Sequence, residues 1–462
     1  MRGVFLVGLV SCGWLATGCA SSVKREPVVQ FPPPPQYPAD HRYTLDELVQ
    51  LSIYRNASLD VARYEAEAAQ GLVDQVKALW LPTLRYDFVA TAFDNDLSYR
   101  VRAFNLATIN VPITGAYNLT NSLALAQIIS TGGKRTSGLK QAKMFATIKK
   151  LDVLRQQDAI ALDVATYYQL VCLTSDIDAV LDDTLRRIRV FRQVAQELNQ
   201  RGSLRASQLD YLQADFFASQ LEQLQIAVRA GRQQAYAALQ QAAGLNPDEP
   251  LLLRETALPA PLTTLDWISA SAAVVQGFLA RPENQQVNLF TKIREEQVKF
   301  AKAAWAPNIA FLGNAVAITG NHNTILNAID GLIASFIIDV PIYDPARRGR
   351  LREALGLEQA SLAFQKQVEQ LITLEIDVTA LDAQKGLATV FRAARARQVA
   401  AEHYDSARQA YSRELIPASG VVTAIGLDAL AKIGHLQALF NYHNARAKLK
   451  RVTVDREAQY GY

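Results

Sequence analysis

The chain has 462 residues, of which 50% are hydrophobic and 20% are charged, so it is long enough to bury one or more sizeable cores. Its formal net charge of +4 is small for this length, and its basic residues are scattered rather than grouped in blocks. This pattern argues against nucleic acid as a partner, because nucleic-acid-binding segments concentrate lysine and arginine.

Residues 1–18 are predicted to be a signal peptide. Their apolar run, residues 4–15, is too short to span a membrane as a helix. The next segment, Ala16-Thr17-Gly18-Cys19, resembles a bacterial lipobox with alanine where leucine is usual, which makes Cys19 the candidate lipidated residue. Ordinary cleavage after a small residue is the alternative. Ala20, instead of aspartate, follows Cys19, and this resembles an outer-membrane address.

A lipid-anchored, proline-rich tether is predicted over residues 19–43, because four consecutive prolines favour a stiff, extended conformation without a core. Thr44 and Glu47 then match a capping box, which predicts that the folded part begins with a helix ending near Arg55. A second helix is predicted from about Ser58 to Leu79.

One motif occurs twice and divides the folded part into two similar halves. Trp80-Leu81-Pro82 and Trp305-Ala306-Pro307 are separated by 305 − 80 = 225 residues. Because proline cannot continue a helix and favours extended geometry in the residue before it, each motif predicts a switch from helix to strand. The predicted division is a first repeat over 44–250, a linker over 251–264, a second repeat over 265–456 and a tail over 457–462.

Each repeat is predicted to contain a β-hairpin after its motif, at about 83–128 and about 308–342, with a loop over roughly 95–114 inside the first. Apolar residues alternate along these segments, as at Leu84, Tyr86 and Phe88 and again at Leu332, Ala334 and Phe336. Each run has about the 9–11 residues that a tilted barrel strand needs to cross a bilayer. A soluble sandwich could show the same period, but the outer-membrane address, the small number of strands and the long helices favour membrane strands.

The four predicted strands cannot close a barrel by themselves. An open sheet edge in hydrocarbon leaves backbone groups without hydrogen bonds, at several kcal/mol each. Either the sheet lies outside a membrane, or several copies of the chain contribute to one barrel. Two copies would give a filled barrel without a pore, and three would give twelve strands and room for a channel.

Each hairpin is followed by a long helical hairpin, predicted at about 137–243 and about 350–456, whose first helix has a length of about 90 Å. Apolar residues recur every seven positions, which is typical of coiled-coil packing. One row in the first helix comprises Leu181, Ile188 and Ala195; the row in the second helix comprises Leu357, Phe364, Leu371 and Val378.

Residues that would carry chemistry are not arranged in any recognisable site. The five histidines lie in no spacing that would bind a metal with cysteine or with another histidine. Gly132-Gly133-Lys134-Arg135 lacks the serine or threonine that must follow the lysine of a phosphate loop. Cys172, alone on a predicted helix, is expected to be a small buried residue. The sequence therefore predicts no catalytic residue, cofactor or metal.

The duplicated order of helix, Trp-Xaa-Pro, strand hairpin, Gly-Gly-Lys-Arg turn and long helical hairpin resembles the TolC family of outer-membrane efflux proteins over about 44–456. The lipobox and the tether resemble its lipoprotein branch, which serves resistance-nodulation-division pumps. The resemblance implies a mainly α homotrimer with a small membrane β part. It implies a twelve-stranded β-barrel continued by an α-helical barrel across the periplasm, docked on a periplasmic adaptor protein and an inner-membrane pump.

The tips of the helical hairpins depart from this family, in which a Tyr-Xaa-Xaa-Gly turn is followed by acidic residues. The first tip keeps Gly202 without the tyrosine, and Asp210 lies further along than usual; the second keeps Tyr411, but Glu414 stands where glycine is expected. Our hypothesis is that three basic residues shape the periplasmic aperture, namely Arg201, Arg205 and Arg413.

Two classes of function follow from the sequence. The favoured one is a passive exit duct that performs no catalysis, for efflux of drugs or metals or, alternatively, for type I protein secretion. The other is a non-conducting structural or adhesive coiled-coil lipoprotein of the periplasm.

Overall fold

The structure is a computed structural model that describes residues 35, 37–38, 40–92, 97–103, 107–114, 117–201, 208–261, 278, 281–320, 331–413 and 415–453. Predictions for Cys19, Gly202, Arg205, Glu414 and most of the tether therefore lie outside the described residues.

Two helices open the folded part as predicted. The first helix, α1 (Leu45–Arg55), begins with the capping box, because Thr44 accepts from the Glu47 amide and the Glu47 carboxylate accepts from the Thr44 amide. Helix α2 (Ala57–Ala78) starts directly afterwards, where the Asn56 side chain accepts from the Ser58 amide. Before α1, strand β1 (Arg42–Tyr43) pairs in parallel with β6 (Leu252–Leu253), so the end of the first half returns to its beginning.

A four-stranded sheet lies at one end of the long helices. It contains β2 (Thr83–Ala92), β5 (Tyr117–Ser130), β7 (Asn308–Gly320) and β8 (Gly331–Asp339), in the order β2-β5-β7-β8. All three pairings are antiparallel, and the pairing of β5 with β7 joins the two halves.

The prediction of a loop over roughly 95–114 was wrong. The structure places there two antiparallel strands, β3 (Leu97–Ala103) and β4 (Ala107–Thr114). Pro112 has no N–H and argues against a regular strand, but it pairs with Ser98 beside a register shift between Leu97 and Ser98. Such an irregularity in the ladder tolerates a missing donor.

The two helical hairpins have equal lengths. Helices α3 (Lys134–Gln200) and α6 (Ala346–Ser412) each have 67 residues, and their return helices α4 (Gln208–Ala243) and α7 (Ala418–Thr453) each have 36. Helix α5 (Pro282–Lys302) leads into the second half of the sheet, as α2 leads into the first. This agreement confirms the predicted long helical hairpins and the duplicated order of the elements.

The largest core among the described residues lies where α1 and the start of α2 pack against α3 and α4, and it includes Leu48, Leu51, Leu59, Val164 and Leu239. Cys172 belongs to this core and is 1% exposed, as predicted for it. Burial raises the pKa of its thiol to about 12. The thiol is therefore protonated at neutral pH and serves as a small apolar residue.

Candidate transmembrane wall and periplasmic tips

One face of the four-stranded sheet is largely apolar, with polar residues on β5 at Asn121, opposite Phe88, and Gln127, opposite Phe311. The register places Leu84 opposite Leu125, and Leu125 opposite Gly313. Phe311 lies opposite Phe336, and their ring centroids are 5.1 Å apart. The outer strands expose large side chains on this face, at Leu84, Tyr86, Phe88, Leu332, Phe336 and Ile338. An exposed apolar patch of this extent marks a surface that meets lipid or protein.

The opposite face is mixed. Arg85 and Asp87 project from β2 on this face and form an ion pair with a distance of 2.8 Å between Nε and Oδ2. The register extends the face to Ser122 on β5 and to Asn314 on β7. This face also exposes Val89 and Ile333, so it is mixed, whereas the other face is largely apolar. A barrel wall between lipid and water turns its more apolar face to the lipid.

Both edges of this sheet lack a partner strand within the described residues, since β2 pairs with β5 alone and β8 pairs with β7 alone. Because neighbouring strands alternate in direction, β2 and β8 run in opposite directions. The β8 edge of one copy could therefore pair antiparallel with the β2 edge of a second copy, and so continue the sheet.

The two Trp-Xaa-Pro motifs lie where helix changes to strand, as predicted. Helix α2 ends at Ala78, and β2 begins directly after Pro82. Helix α5 ends at Lys302 and passes through a 3₁₀ turn (Ala303–Trp305), and β7 begins directly after Pro307.

Arg135, which the sequence did not single out for this role, holds the first switch together. Its guanidinium donates to the main-chain oxygens of Leu79, Ile128 and Ile129 at 2.7–3.0 Å. It also lies 4.8 Å from the centroid of the Trp80 ring. One side chain thus binds the end of α2, the end of β5 and the tryptophan of the motif.

Arg347 occupies the matching position in the second half, since both arginines are the second residue of their long helix. It is buried, donates to the Pro341 oxygen at 2.9 Å and lies 6.0 Å from the centroid of the Trp305 ring. The sequence does contain a signal for this pair, because an arginine occupies the second position of both long helices.

Gly132 brings the two switches into contact. Its φ is +61°, in the region that favours glycine, and a Cβ added there would lie 2.0 Å from the Cβ of Ala306. The middle residue of the second motif therefore fills the space that a side chain at position 132 would need.

The heptad rows of the two long helices differ in burial. In α3, Leu181, Ile188 and Ala195 are buried within the chain. In α6, all four residues of the predicted row are exposed, and Leu371 is 55% exposed. The residues of α6 that are buried in the chain lie on another face and include Ile372, Ile376, Ala383 and Val390. The α6 row therefore has no packing partner within the described part of this chain.

At the far end of the hairpins, an apolar cluster packs the second hairpin against the first. It contains Ile188 and Phe191 of α3, Ala214 of α4, and Val421 and Ile425 of α7. Tyr411, one of the predicted tip residues, packs against this cluster, with its ring centroid 5.7 Å from that of Phe191.

The remaining described tip residues lie close to the ends of the long helices. Arg201 follows α3 and Arg413 follows α6, and both are exposed. Asp210 lies in the first turn of α4 and is half-buried. The structure therefore places one exposed arginine at the end of each long helix, where a cation complements the partial negative charge of the helix terminus.

An ion-pair cluster above the tips joins the halves and was not found from the sequence. The Asp428 carboxylate of α7 is buried and lies 2.7 Å from Lys432 Nζ and 3.2 Å from a guanidinium nitrogen of Arg187 on α3. Arg187 also binds Asp183 at 2.6 Å and lies 5.0 Å from the centroid of the Tyr404 ring.

Within the described residues, no group of three or more histidine, cysteine or carboxylate side chains is placed to hold a metal ion. None of the helices in the described part of the chain combines the length and the apolar composition that a membrane-spanning helix needs.

Solved structures share this fold. The outer-membrane channel OprN matches with a TM-score of 0.76 and 18% identity, over 88% of this chain and 89% of its own. VceC, an outer membrane protein of Vibrio cholerae, matches with a TM-score of 0.72 and 16% identity over 88% and 95%. CusC, whose crystal structures concern folding and transmembrane channel formation, matches with a TM-score of 0.73 and 16% identity over 92% of this chain and 98% of its own. The likeness confirms the predicted fold of the single chain, which is mainly α with a small sheet and long helical hairpins.

No protein-family model matches the sequence, and no curated protein matches it.

Proposed function

We propose that the chain is the passive exit duct of a tripartite efflux system in the bacterial outer membrane. The observation that carries this proposal is a four-stranded sheet that exposes one largely apolar face and whose two edges have no partner strand among the described residues. Such a sheet cannot stand alone in hydrocarbon, because the edge backbone groups need hydrogen-bond partners. The fold shared with OprN, VceC and CusC supports the same reading.

The duct is a homotrimer in this proposal. Three copies supply twelve strands, enough for a barrel with a lumen, and the mixed face carrying Arg85 and Asp87 lines that lumen. The exposed heptad row of α6 packs on a neighbouring copy. Surfaces of the first half that could receive it expose Val61, Tyr64, Val190, Val194, Phe216 and Ile226.

The helical hairpins cross the periplasm and end at an adaptor protein and an inner-membrane pump. Helix α3 has 67 residues, which corresponds to about 100 Å. Near the tips, Leu209 and Leu415 are exposed and supply apolar surface for an adaptor. A lipid on Cys19 anchors the tether in the outer membrane, and the membrane partners, not this chain, supply the energy.

The three tip arginines, Arg201, Arg205 and Arg413, give the aperture a basic rim in this proposal. Replacing them together with alanine should change single-channel conductance and reduce the preference for anions over cations, because a positive rim concentrates anions. An unchanged conductance and selectivity in planar bilayers would remove these residues from the aperture.

The decisive test of the duct is reconstitution of the full chain in planar bilayers, together with its mass in detergent. A trimer that conducts ions is expected. A monomer that does not conduct ions would favour the second candidate, a structural periplasmic lipoprotein. The coiled-coil period of α3 is also compatible with that candidate. The kind of inner-membrane partner that co-purifies, an efflux pump or a protein exporter, would separate efflux from type I secretion.

A further inference from the structure

Where the sheet meets α6, exposed apolar side chains lie directly before exposed arginines. Ile342 and Tyr343, between β8 and α6, are 94% and 85% exposed. Arg348 and Arg352 are exposed in the first two turns of α6. We call these four residues the collar.

The collar arginines are available to an anion, whereas their neighbours are occupied. Arg347 and Arg350 both pair with Asp344. Among the residues that the structure describes, the side chains of Arg348 and Arg352 form neither an ion pair with a carboxylate nor a hydrogen bond.

The charge arrangement of the collar is unfavourable without a ligand. Arg348 and Arg352 are four residues apart on one helix face, where like charges destabilise the helix. Asp344 supplies the negative charge at the start of α6, where its carboxylate accepts from the Ala346 amide, but it pairs with Arg347 and Arg350 and not with the collar arginines. A bound anion would relieve the repulsion between Arg348 and Arg352, and the planar guanidinium matches the geometry of a phosphate.

The first half differs at the positions that correspond to the collar arginines. Thr136 stands in place of Arg348, and Lys140 stands in place of Arg352 and lies 3.5 Å from a carboxylate oxygen of Glu296. The two halves thus share the fold of this junction, but only the second half presents an exposed pair of arginines there.

We propose that the collar binds the phosphodiester of an anionic phospholipid in the periplasmic leaflet of the outer membrane. Arg348 and Arg352 hold the phosphate, and Ile342 and Tyr343 lie against the glycerol and the first acyl carbons. The inference rests on the proposed function, which places the apolar sheet face in hydrocarbon and the exposed Trp305 at the interface, where tryptophan is enriched.

The test measures which lipid stays with the protein. The full chain is reconstituted in vesicles of equal phosphatidylglycerol and phosphatidylcholine and extracted in mild detergent, and the retained lipids are counted by mass spectrometry. Enrichment of phosphatidylglycerol is expected in the natural protein. It should fall about fivefold for each arginine removed in R348Q, R352Q and the double variant.

The matched control is R392Q/R395Q, which removes two exposed arginines from α6 at a distance of about 65 Å along the helix. This control should retain the enrichment. Equal enrichment in both double variants, or none in the natural protein, would overturn the collar site. Inorganic phosphate that binds the detergent-solubilised protein through these arginines, with no preference among lipids, would assign the site to free anions instead.

The same samples separate the collar from the duct. Protein that conducts ions but shows no lipid preference leaves the duct intact and refutes the collar. Protein that does not float with vesicles refutes the proposed duct and the collar with it.

Discussion

The two long helices, α3 and α6, have the same length and bury corresponding positions, such as Ile160 and Ile372, but their predicted apolar rows differ in burial. Leu181 of α3 is fully buried between elements of its own chain, whereas Leu371 of α6, which lies at a different heptad position, is 55% exposed. A seven-residue period therefore predicts that a helix packs along one stripe, but it does not say against which chain.

This difference in burial separates residues that stabilise the folded subunit from residues that remain available for assembly. The apolar row of α3 joins α4 and α7 into one subunit through the cluster near the tips. The row of α6 has no packing partner in the described part of the chain, and in the proposed trimer it packs on another copy. The two halves share their fold, but their predicted rows differ in burial.

The contact between the halves at Gly132 should give the largest effect. Gly132→Ala forces a left-handed backbone on alanine and places its Cβ against Ala306, and we expect a loss of about 4 kcal/mol in the free energy of unfolding. Gly133→Ala is the matched control, because Gly133 also has a positive φ, +99°, but has open space around it. Thermal unfolding of the full chain in detergent measures both.

Rescue separates the steric contact from the backbone conformation. Ala306→Gly should restore much of the stability lost in Gly132→Ala and should do nothing for Gly133→Ala. Equal losses in the two glycine variants would show that the conformation, and not the contact between halves, requires glycine at position 132.

The comparison of the heptad rows is tested by one substitution in each. Leu181→Ala should lower the free energy of unfolding by about 3 kcal/mol, because it leaves a cavity in a buried site. Leu371→Ala should hardly change the unfolding of the dissociated chain but should weaken self-association. Unfolding midpoints at several protein concentrations distinguish these outcomes. A concentration-independent loss at Leu371 would contradict the assignment of this row to assembly.

The ion-pair cluster near the tips should show a smaller effect. Asp428→Asn removes the charge that binds Lys432 and Arg187, and we expect a loss of about 2 kcal/mol, since both cations are partly solvated. Faster hydrogen exchange in the first turns of α7 should accompany it. Asp382→Asn, on an exposed site of α6, is the control. Unchanged exchange in Asp428→Asn would mean that apolar packing alone joins the halves here.

Local signals in the sequence were sufficient for much of this fold. The capping box at Thr44, the proline stops and the lengths of α3 and α6 all depend on neighbouring residues, and the structure confirms them. Strands β3 and β4 were missed because Pro112 obscures a ladder whose irregularity accommodates it. The roles of Arg135 and Asp428 depend on contacts between distant segments, which no local pattern encodes.

The smallest predicted effect concerns the linker between the halves. Each half contacts this linker through a different hydrogen bond. Asp176 of α3 accepts from the Leu258 amide at 2.9 Å, and His443 of α7 hydrogen-bonds the Pro259 oxygen at 2.9 Å. Burial lowers the pKa of His443 below its usual 6.5, with a further contribution from Arg446. The unfolded chain therefore binds a proton more readily than the folded chain, so the stabilising contribution is complete above about pH 6.5 and is lost as the pH falls through that value.

His443→Gln can keep the hydrogen bond without titrating. The difference in unfolding free energy between the natural protein and this variant should shift by about 1 kcal/mol or less between pH 7.5 and pH 5. If this difference does not depend on pH, His443 has the same pKa in the folded and unfolded chains, and its burial does not affect the contact between α7 and the linker.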